Sequence, residues 1–277
     1  MTKLLIHFHL YYTDQLDYFL EKLSNIQGCE YDLYVTMVEK NADAEQKIFR
    51  LFPNARILIV PNKGYDVGPF VDVLNRVNLS DYDYVLKVHT KNTTKSERLK
   101  INGNTISRKY WLYFLVESLI GSKKNFAHNL QHLSNQNIGM LACNKLITDK
   151  TGDYPMVERS ARQILDNMGV NNTGKLNFVA GTMFLAKASL FRPLKKYTIE
   201  SFENSETSQT GNSLAHAFER IFGNMVTGNR YFIQPVSPPL FLRVKNTLNN
   251  IADFFFFIKR KQNHKIIKIC KIQIYKA

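Results

Sequence analysis

Between Lys3 and Val88 four short β-branched or aromatic runs are separated by three stretches with helical apolar spacing, and few folds tolerate that alternation. Lys3 to Leu10 is followed by Thr13, a residue suited to cap a helix, and by Leu16, Phe19, Leu20 and Leu23. Tyr31 to Val38 is the second run, Ala42 to Leu51 the second helix and Arg56 to Val60 the third strand. Gly68-Pro69 then open a helix with Phe70, Val73, Leu74 and Val77 on one face, proline being tolerated in the first turn. Val85, Leu86 and Val88 make the fourth run. Repetition of this kind implies the α/β class: a mostly parallel sheet flanked by helices.

Ligands of open α/β sheets sit at the carboxyl ends of the strands. Two such ends turn abruptly polar here. One is His89-Thr90-Lys91; the other follows Ile57 to Val60 and runs through Asn62, Lys63, Gly64 and Asp66. Asp66 reads as a helix cap or turn residue, or, with Asn62 and Lys63, as part of a nucleotide site where backbone N–H groups face outward. Asp81-Tyr82-Asp83 has the spelling of a cation-binding Asp-x-Asp, but it precedes its strand and belongs to the wrong end of the sheet. His7 and His9 share one side of the first strand. With no third ligand in view they read as substrate contacts, and no metal is expected.

Beyond Lys91 a basic loop is expected through Lys95, Arg98 and Lys100, then a helix near Arg108 to Gly121 with Trp111, Phe114, Leu115 and Leu119 turned to the core. Ile138 to Ala142 reads as a strand and Arg159 to Met168 as a helix. Phe178 to Ala186 reads as one apolar strand whose Gly181 marks a close approach by a ligand. Glu203 to Asn212 is a polar loop, after which Ser213 caps a helix with Leu214, Phe218, Ile221 and Met225 on one stripe. His216 and Glu219 project from the other side. Facing water they are a solvated pair; facing a crevice, Glu219 is a general base with His216 as its neighbour.

The 277 residues carry a formal charge of +14, which points to anionic partners. From Pro235 onward nine cations face only Asp253, so eight of those net charges lie in the tail. Lys265, Lys268 and Lys271 between isoleucines suggest an amphipathic helix at an anionic membrane surface, with Phe254 to Phe257 at the headgroup boundary. No apolar run approaches the roughly 20 residues of a spanning helix, and the start has no signal-peptide pattern. Cys29, Cys143 and Cys270 are isolated, as in a reducing cytoplasm. The expected organisation is one α/β domain over 1–240, with a nucleotide-binding half over about 1–125 and an acceptor half over 126–240, then a basic amphipathic segment, 241–277. Nucleic acid is not an expected partner, since the charge gathers in the tail and no recognition motif occurs.

In this order, Asn62-Lys63-Gly64-Tyr65-Asp66-Val67-Gly68-Pro69-Phe70, Val85-Leu86-Lys87-Val88-His89-Thr90-Lys91, Ala180-Gly181-Thr182-Met183-Phe184 and His216-Ala217-Phe218-Glu219-Arg220 resemble the rhamnan synthesis protein F family of bacterial surface-polysaccharide glycosyltransferases. The resemblance runs from about Ile57 to Phe232. It implies a GT-A-like nucleotide-sugar transferase of lipopolysaccharide, capsule or rhamnan assembly, cytoplasmic and peripheral at the inner membrane face. The donor would be a nucleotide-diphosphate sugar and the acceptor lipid-linked or an oligosaccharide. Asn62, Lys63, Gly64, Asp66, His89, Thr90, Lys91, Gly181 and Thr182 are then expected to bind the nucleotide sugar, and Glu219, Asp66 and His216 to serve catalysis. Lys91 would offset the diphosphate charge without a metal, in a direct, inverting displacement. The competing expectations are a nucleic-acid-binding module and an inactive carbohydrate-binding scaffold.

Overall fold

The computed structural model describes the backbone of residues 1–94, 98–149, 155–172, 174–207, 213–261, 264–269 and 272–276, and the side chains of these residues through 252 except 155. Strands Lys3–His9 (β1), Glu30–Met37 (β2), Arg56–Ile59 (β3) and Tyr84–His89 (β4) alternate with helices Leu16–Leu23 (α1), Ala42–Leu51 (α2) and Val67–Arg76 (α3). Arg98–Ile101 (β5) and Asn104–Ser107 (β6) pair as a hairpin before helices Arg108–Ile120 (α4) and Lys123–Leu133 (α5). Ile138–Cys143 (β7), Ile147–Thr148 (β8), Pro155–Met168 (α6), Phe178–Val179 (β9), Phe184–Lys187 (β10), Leu214–Thr227 (α7), Phe232–Val236 (β11) and Leu240–Phe255 (α8) complete the body.

The central sheet has the order β11-β7-β10-β4-β1-β2-β3. Six strands run parallel, and β10 alone runs against both of its neighbours. β1 and β4 sit at the middle, covered on both faces; Leu4, Leu5, Ile6, Phe8, Val85, Leu86 and Val88 are all buried. That two-sided burial is why these strands read as nearly unbroken apolar runs. On one face Phe70 of α3 lies 6.1 Å from Phe184 of β10 and 5.9 Å from Phe222 of α7. Such ring contacts fix both helices on the sheet, and with them Asp66 and Glu219.

Several expectations are corrected. Thr13 starts a 3₁₀ turn, Thr13–Gln15, and does not cap α1, which begins at Leu16. The basic loop is a hairpin over Arg98–Ser107, turned by Asn102 and Gly103 at φ 49° and 75°; two consecutive positive φ values are what a type I′ turn requires. Lys95 lies outside the described residues. Phe178 to Ala186 is not one strand, because Gly181 and Thr182 take φ of +98° and +52° and divide it into β9 and β10. Ser213 makes no capping bond; Glu203 accepts from the Leu214 N–H at 3.0 Å in its place. The helix expected around Lys265 to Lys271 is absent: the described backbone forms an antiparallel sheet of Phe256–Lys261 (β12), His264–Ile269 (β13) and Ile272–Lys276 (β14). Asp81-Tyr82-Asp83 does lie at the amino end of β4, where Asp83 accepts from the Lys3 N–H at 2.8 Å.

Candidate active site

Strand alternation puts His7 and His9 of β1 on the same sheet face as Lys87 and His89 of β4, with His7 beside Lys87 and His9 beside His89 in register. All four side chains are buried. Above them stands Asp66, at the start of α3, which makes no cap bond. Its carboxylate instead forms an ion pair with the fully buried Lys87 ammonium. Lys87 also donates to the Thr182 carbonyl at 3.0 Å and hydroxyl at 3.1 Å, while that hydroxyl donates to Asp66 at 2.5 Å. Thr182 arrives here because β10 is reversed, so the chain preceding β10 sits where β4 ends. His7 Nε2 and His9 Nδ1 meet on the Thr36 hydroxyl at 2.9 and 3.0 Å.

Burial lowers His7 and His89 well below the ordinary imidazole value and brings His9 down to about 4, with Asp66 opposing each shift. These imidazoles are neutral near pH 7. Burial alone would raise Asp66, but His89, Lys87 and Lys91 around it hold it well below the usual carboxylate value. With His89 neutral, Lys87 and Lys91 are the cations that keep it ionised, Lys87 in direct contact. Burial also lowers Lys91, to about 8.

The carboxyl ends of β1 and β4 open into a two-lobed crevice. One lobe, of about 350 Å³, is lined by His9, Tyr11, Tyr12, Asn62, His89, Thr90, Asn92, Arg108 and Glu206 among others. The second, of about 290 Å³, is lined by Gly181, Thr182, Ala215, His216 and Glu219. Tyr65, Asp66, Lys91 and Trp111 line both and form the ridge between them. Lys91 Nζ rests 4.0 Å from the centre of the Trp111 ring, with Arg108 at 5.2 Å; the indole faces of such pairs attract cations. His89 is 3% exposed, and neither ring nitrogen makes a hydrogen bond among the described residues, the nearest Asp66 oxygen being 3.4 Å from Nδ1. A buried polar group without a partner calls for an explanation, and here it faces the first lobe.

Asn62, Asp66, His89, Thr90 and Lys91 thus meet in the first lobe, and Gly181, Thr182, His216 and Glu219 join Asp66 and Lys91 in the second. Glu219 accepts from the Gly181 N–H at 2.8 Å and from Arg220 at 2.7 Å. His216 Nδ1 lies 2.6 Å from the Ser213 hydroxyl, and burial lowers its pKa, with Glu219 opposing. Two expected residues point elsewhere. Lys63 pairs with Glu200 at 2.5 Å, and a Cβ on Gly64 would strike Phe202 at 2.7 Å, so that glycine serves packing. Gly181 likewise yields to protein before ligand, since a Cβ there would meet the Trp111 Nε1 at 2.9 Å. Lys87, Tyr11, Tyr12 and Arg108 are not among the site residues expected from the sequence, and Trp111, expected in the core, walls both lobes. A lysine inside Val85-Leu86-Lys87-Val88 is the one clear signal among them, because a charge in a buried strand demands a counter-charge.

A mostly parallel seven-stranded sheet with one reversed strand and a crevice at its carboxyl ends defines a GT-A-like α/β protein. Residues 1–231 match the model of the rhamnan synthesis protein F family, and the chain belongs to that family. Membership connects it to rhamnan and polysaccharide synthesis. The uncharacterized protein WxcX of Xanthomonas campestris pv. campestris strain B100 is 27% identical over 238 residues, a match covering 84% of this chain and 32% of the relative. WxcX of a second strain is 27% identical over 252 residues with the same coverage. The chain therefore spans about a third of the length of these curated relatives. No helix among the described residues is long and apolar enough to cross a membrane.

Proposed function

We propose that the chain is a glycosyltransferase that moves a sugar from a nucleoside-diphosphate sugar to a growing bacterial cell-surface polysaccharide. One observation carries this reading: a cation on an indole, Lys91, and a buried imidazole with no hydrogen bond among the described residues, His89, share a crevice with the pair His216 and Glu219. The first lobe takes the nucleoside diphosphate, with Tyr11, Tyr12 and Asn62 beside the nucleoside and His89, Lys91 and Arg108 at the diphosphate. The second lobe takes the sugar and the acceptor, a lipid-linked sugar or an oligosaccharide at the inner membrane face.

In the reaction the acceptor hydroxyl attacks the anomeric carbon as the bond to the diphosphate breaks, inverting that centre. Glu219 takes the hydroxyl proton; its two oxygens accept two hydrogen bonds and keep lone pairs for a third partner. Asp66 is a poor base, being held well below the usual carboxylate value. Its part is to lock Lys87 and Thr182 beneath the reacting atoms. The negative charge on the departing diphosphate falls to Lys91 and Arg108.

A divalent cation on an Asp-x-Asp does not suit the residues present. Asp81 and Asp83 flank the amino end of β4, Asp66 is engaged by Lys87 and Thr182, and no group of three His, Cys, Asp or Glu among the described residues is arranged to hold a metal.

Thermal stabilisation by a panel of UDP-, GDP- and dTDP-sugars tests the reading, because a ligand of the folded state raises the melting temperature. Stabilisation lost in Lys91→Ala and turnover lost in Glu219→Gln are the expected results. Normal turnover in both variants would remove the assignment.

A further inference from the structure

α8 is amphipathic the wrong way round for a helix on a globular body. At about 3.6 residues per turn, Leu240, Phe241, Val244, Leu248 and Ile251 share one stripe, with Leu242, Asn246 and Asn250 on the opposite side. The polar side faces the protein: Asn246 and Asn250 both donate to the Thr105 carbonyl, at 3.1 and 2.7 Å, and Arg98 donates to Asn250. These bonds fix the rotation of the helix. The apolar stripe is consequently turned outward, with Leu240 65%, Phe241 54%, Val244 48%, Leu248 59% and Ile251 48% exposed. A contiguous apolar face of this kind marks an interaction surface.

Charge selects the occupant. α8 packs against α4 and β6 and also meets β12 and β13; residues 98–110 and 240–252 carry Arg98, Lys100, Arg108, Lys109, Arg243 and Lys245 and no carboxylate, Asp253 beyond them being the one acid in α8. Arg243 and Lys245 flank the stripe on either side. A second copy docking face to face would bring these cations against themselves, since a two-fold interface uses the same patch on both partners. An anionic bilayer answers both features, taking apolar side chains below its headgroups and cations at them.

We infer that α8 is an interfacial helix that lays its outward stripe into an anionic lipid surface, with the exposed Lys100 of the β5–β6 hairpin and Lys109 of α4 supplying cations beside it. This locates membrane contact on α8 and not on the lysines at 265, 268 and 271. Because α4 also carries Arg108 and Trp111 into the crevice, docking holds the crevice beside the bilayer, within reach of a lipid-anchored acceptor. That last consequence rests on the proposed transferase reading; the docking itself does not.

The test is flotation of the full chain with vesicles of phosphatidylcholine alone or mixed with phosphatidylglycerol. Binding to the mixed vesicles is expected, falling about fivefold per cation removed in Lys100→Glu/Lys245→Glu and by more than about tenfold in Phe241→Ser/Leu248→Ser. Thermal unfolding of both variants should match the parent, since all four positions are exposed. Flotation unchanged in both variants would overturn the inference, as would flotation lost only in Lys265→Glu/Lys268→Glu. Self-association without lipid, abolished by Phe241→Ser/Leu248→Ser, would assign the face to a second copy instead. Nucleotide-sugar stabilisation, measured on the same variants, reports on the transferase reading separately.

Discussion

The two ends of β4 are both crowded with charge, yet they differ in what is left over. At the amino end every group is answered: Asp32 accepts from the Tyr82 hydroxyl at 2.6 Å and lies 3.1 Å from Lys3 Nζ, and Asp83 accepts from the Lys3 N–H. At the carboxyl end Asp66 is answered by Lys87 and Thr182, but His89 beside it keeps both nitrogens unbonded among the described residues, and Lys91 faces an indole. Both regions hold acids and lysines in contact. What separates a structural cluster from a receptive one is the hydrogen-bonding capacity it holds in reserve.

The contrast can be broken by substitution. Glu219→Gln should lower kcat by roughly 10²- to 10⁴-fold, read in sugar transfer, with nucleotide affinity unchanged. Asp66→Asn leaves Lys87 buried without its counter-charge, for a loss of about 3–5 kcal/mol in chemical denaturation; Asp66→Asn/Lys87→Met should recover most of it. Lys91→Ala should weaken nucleoside-diphosphate binding by about 1.5–3 kcal/mol in calorimetry.

The same lysine sharpens the comparison through pH. In the free protein burial brings Lys91 to about 8, so below that pH it is charged and ready for a diphosphate, and above it binding must take up a proton. Affinity should be steady below pH 8 and fall above it, by up to about tenfold per unit; Lys91→Arg, always charged, should flatten the profile. At the amino end, Asp32→Asn should cost less than about 1 kcal/mol, because its Lys3 partner is partly solvated, and should leave nucleotide binding unchanged.

Much of the framework was legible because its signals are local. Ala42–Leu51 is helical where the apolar spacing puts it, and the stripe of Phe218, Ile221 and Met225 is buried as the period requires. Strand direction is not local: nothing in Phe178 to Ala186 announces a turn at Gly181-Thr182, since a β-branched threonine at φ +52° runs against its preference. The hairpin over Arg98–Ser107 has its local mark in Asn102-Gly103, a pair suited to a two-residue turn, within a stretch whose charge reads as a loop. α5 has local marks of its own, the Ser122 cap and Phe126 and Leu133 spaced to bury one side, yet it is not among the elements expected from the sequence. At the site, Asp66 looked like a cap because its position is that of a cap; only the buried Lys87, distant in sequence, gives the carboxylate another task.

The reversed strand carries one more implication. Since β10 begins beside the crevice and ends at the far edge of the sheet, its two flanks are open to very different tinkering. Extra residues spliced in after Lys187 would leave the reacting centre alone and disturb packing instead, since Ala188 and Phe191 just beyond are buried, Phe191 5.3 Å from Phe184. A single residue added between Ala180 and Met183 would lift Thr182 off its anchor and reshape the chamber where the acceptor rests.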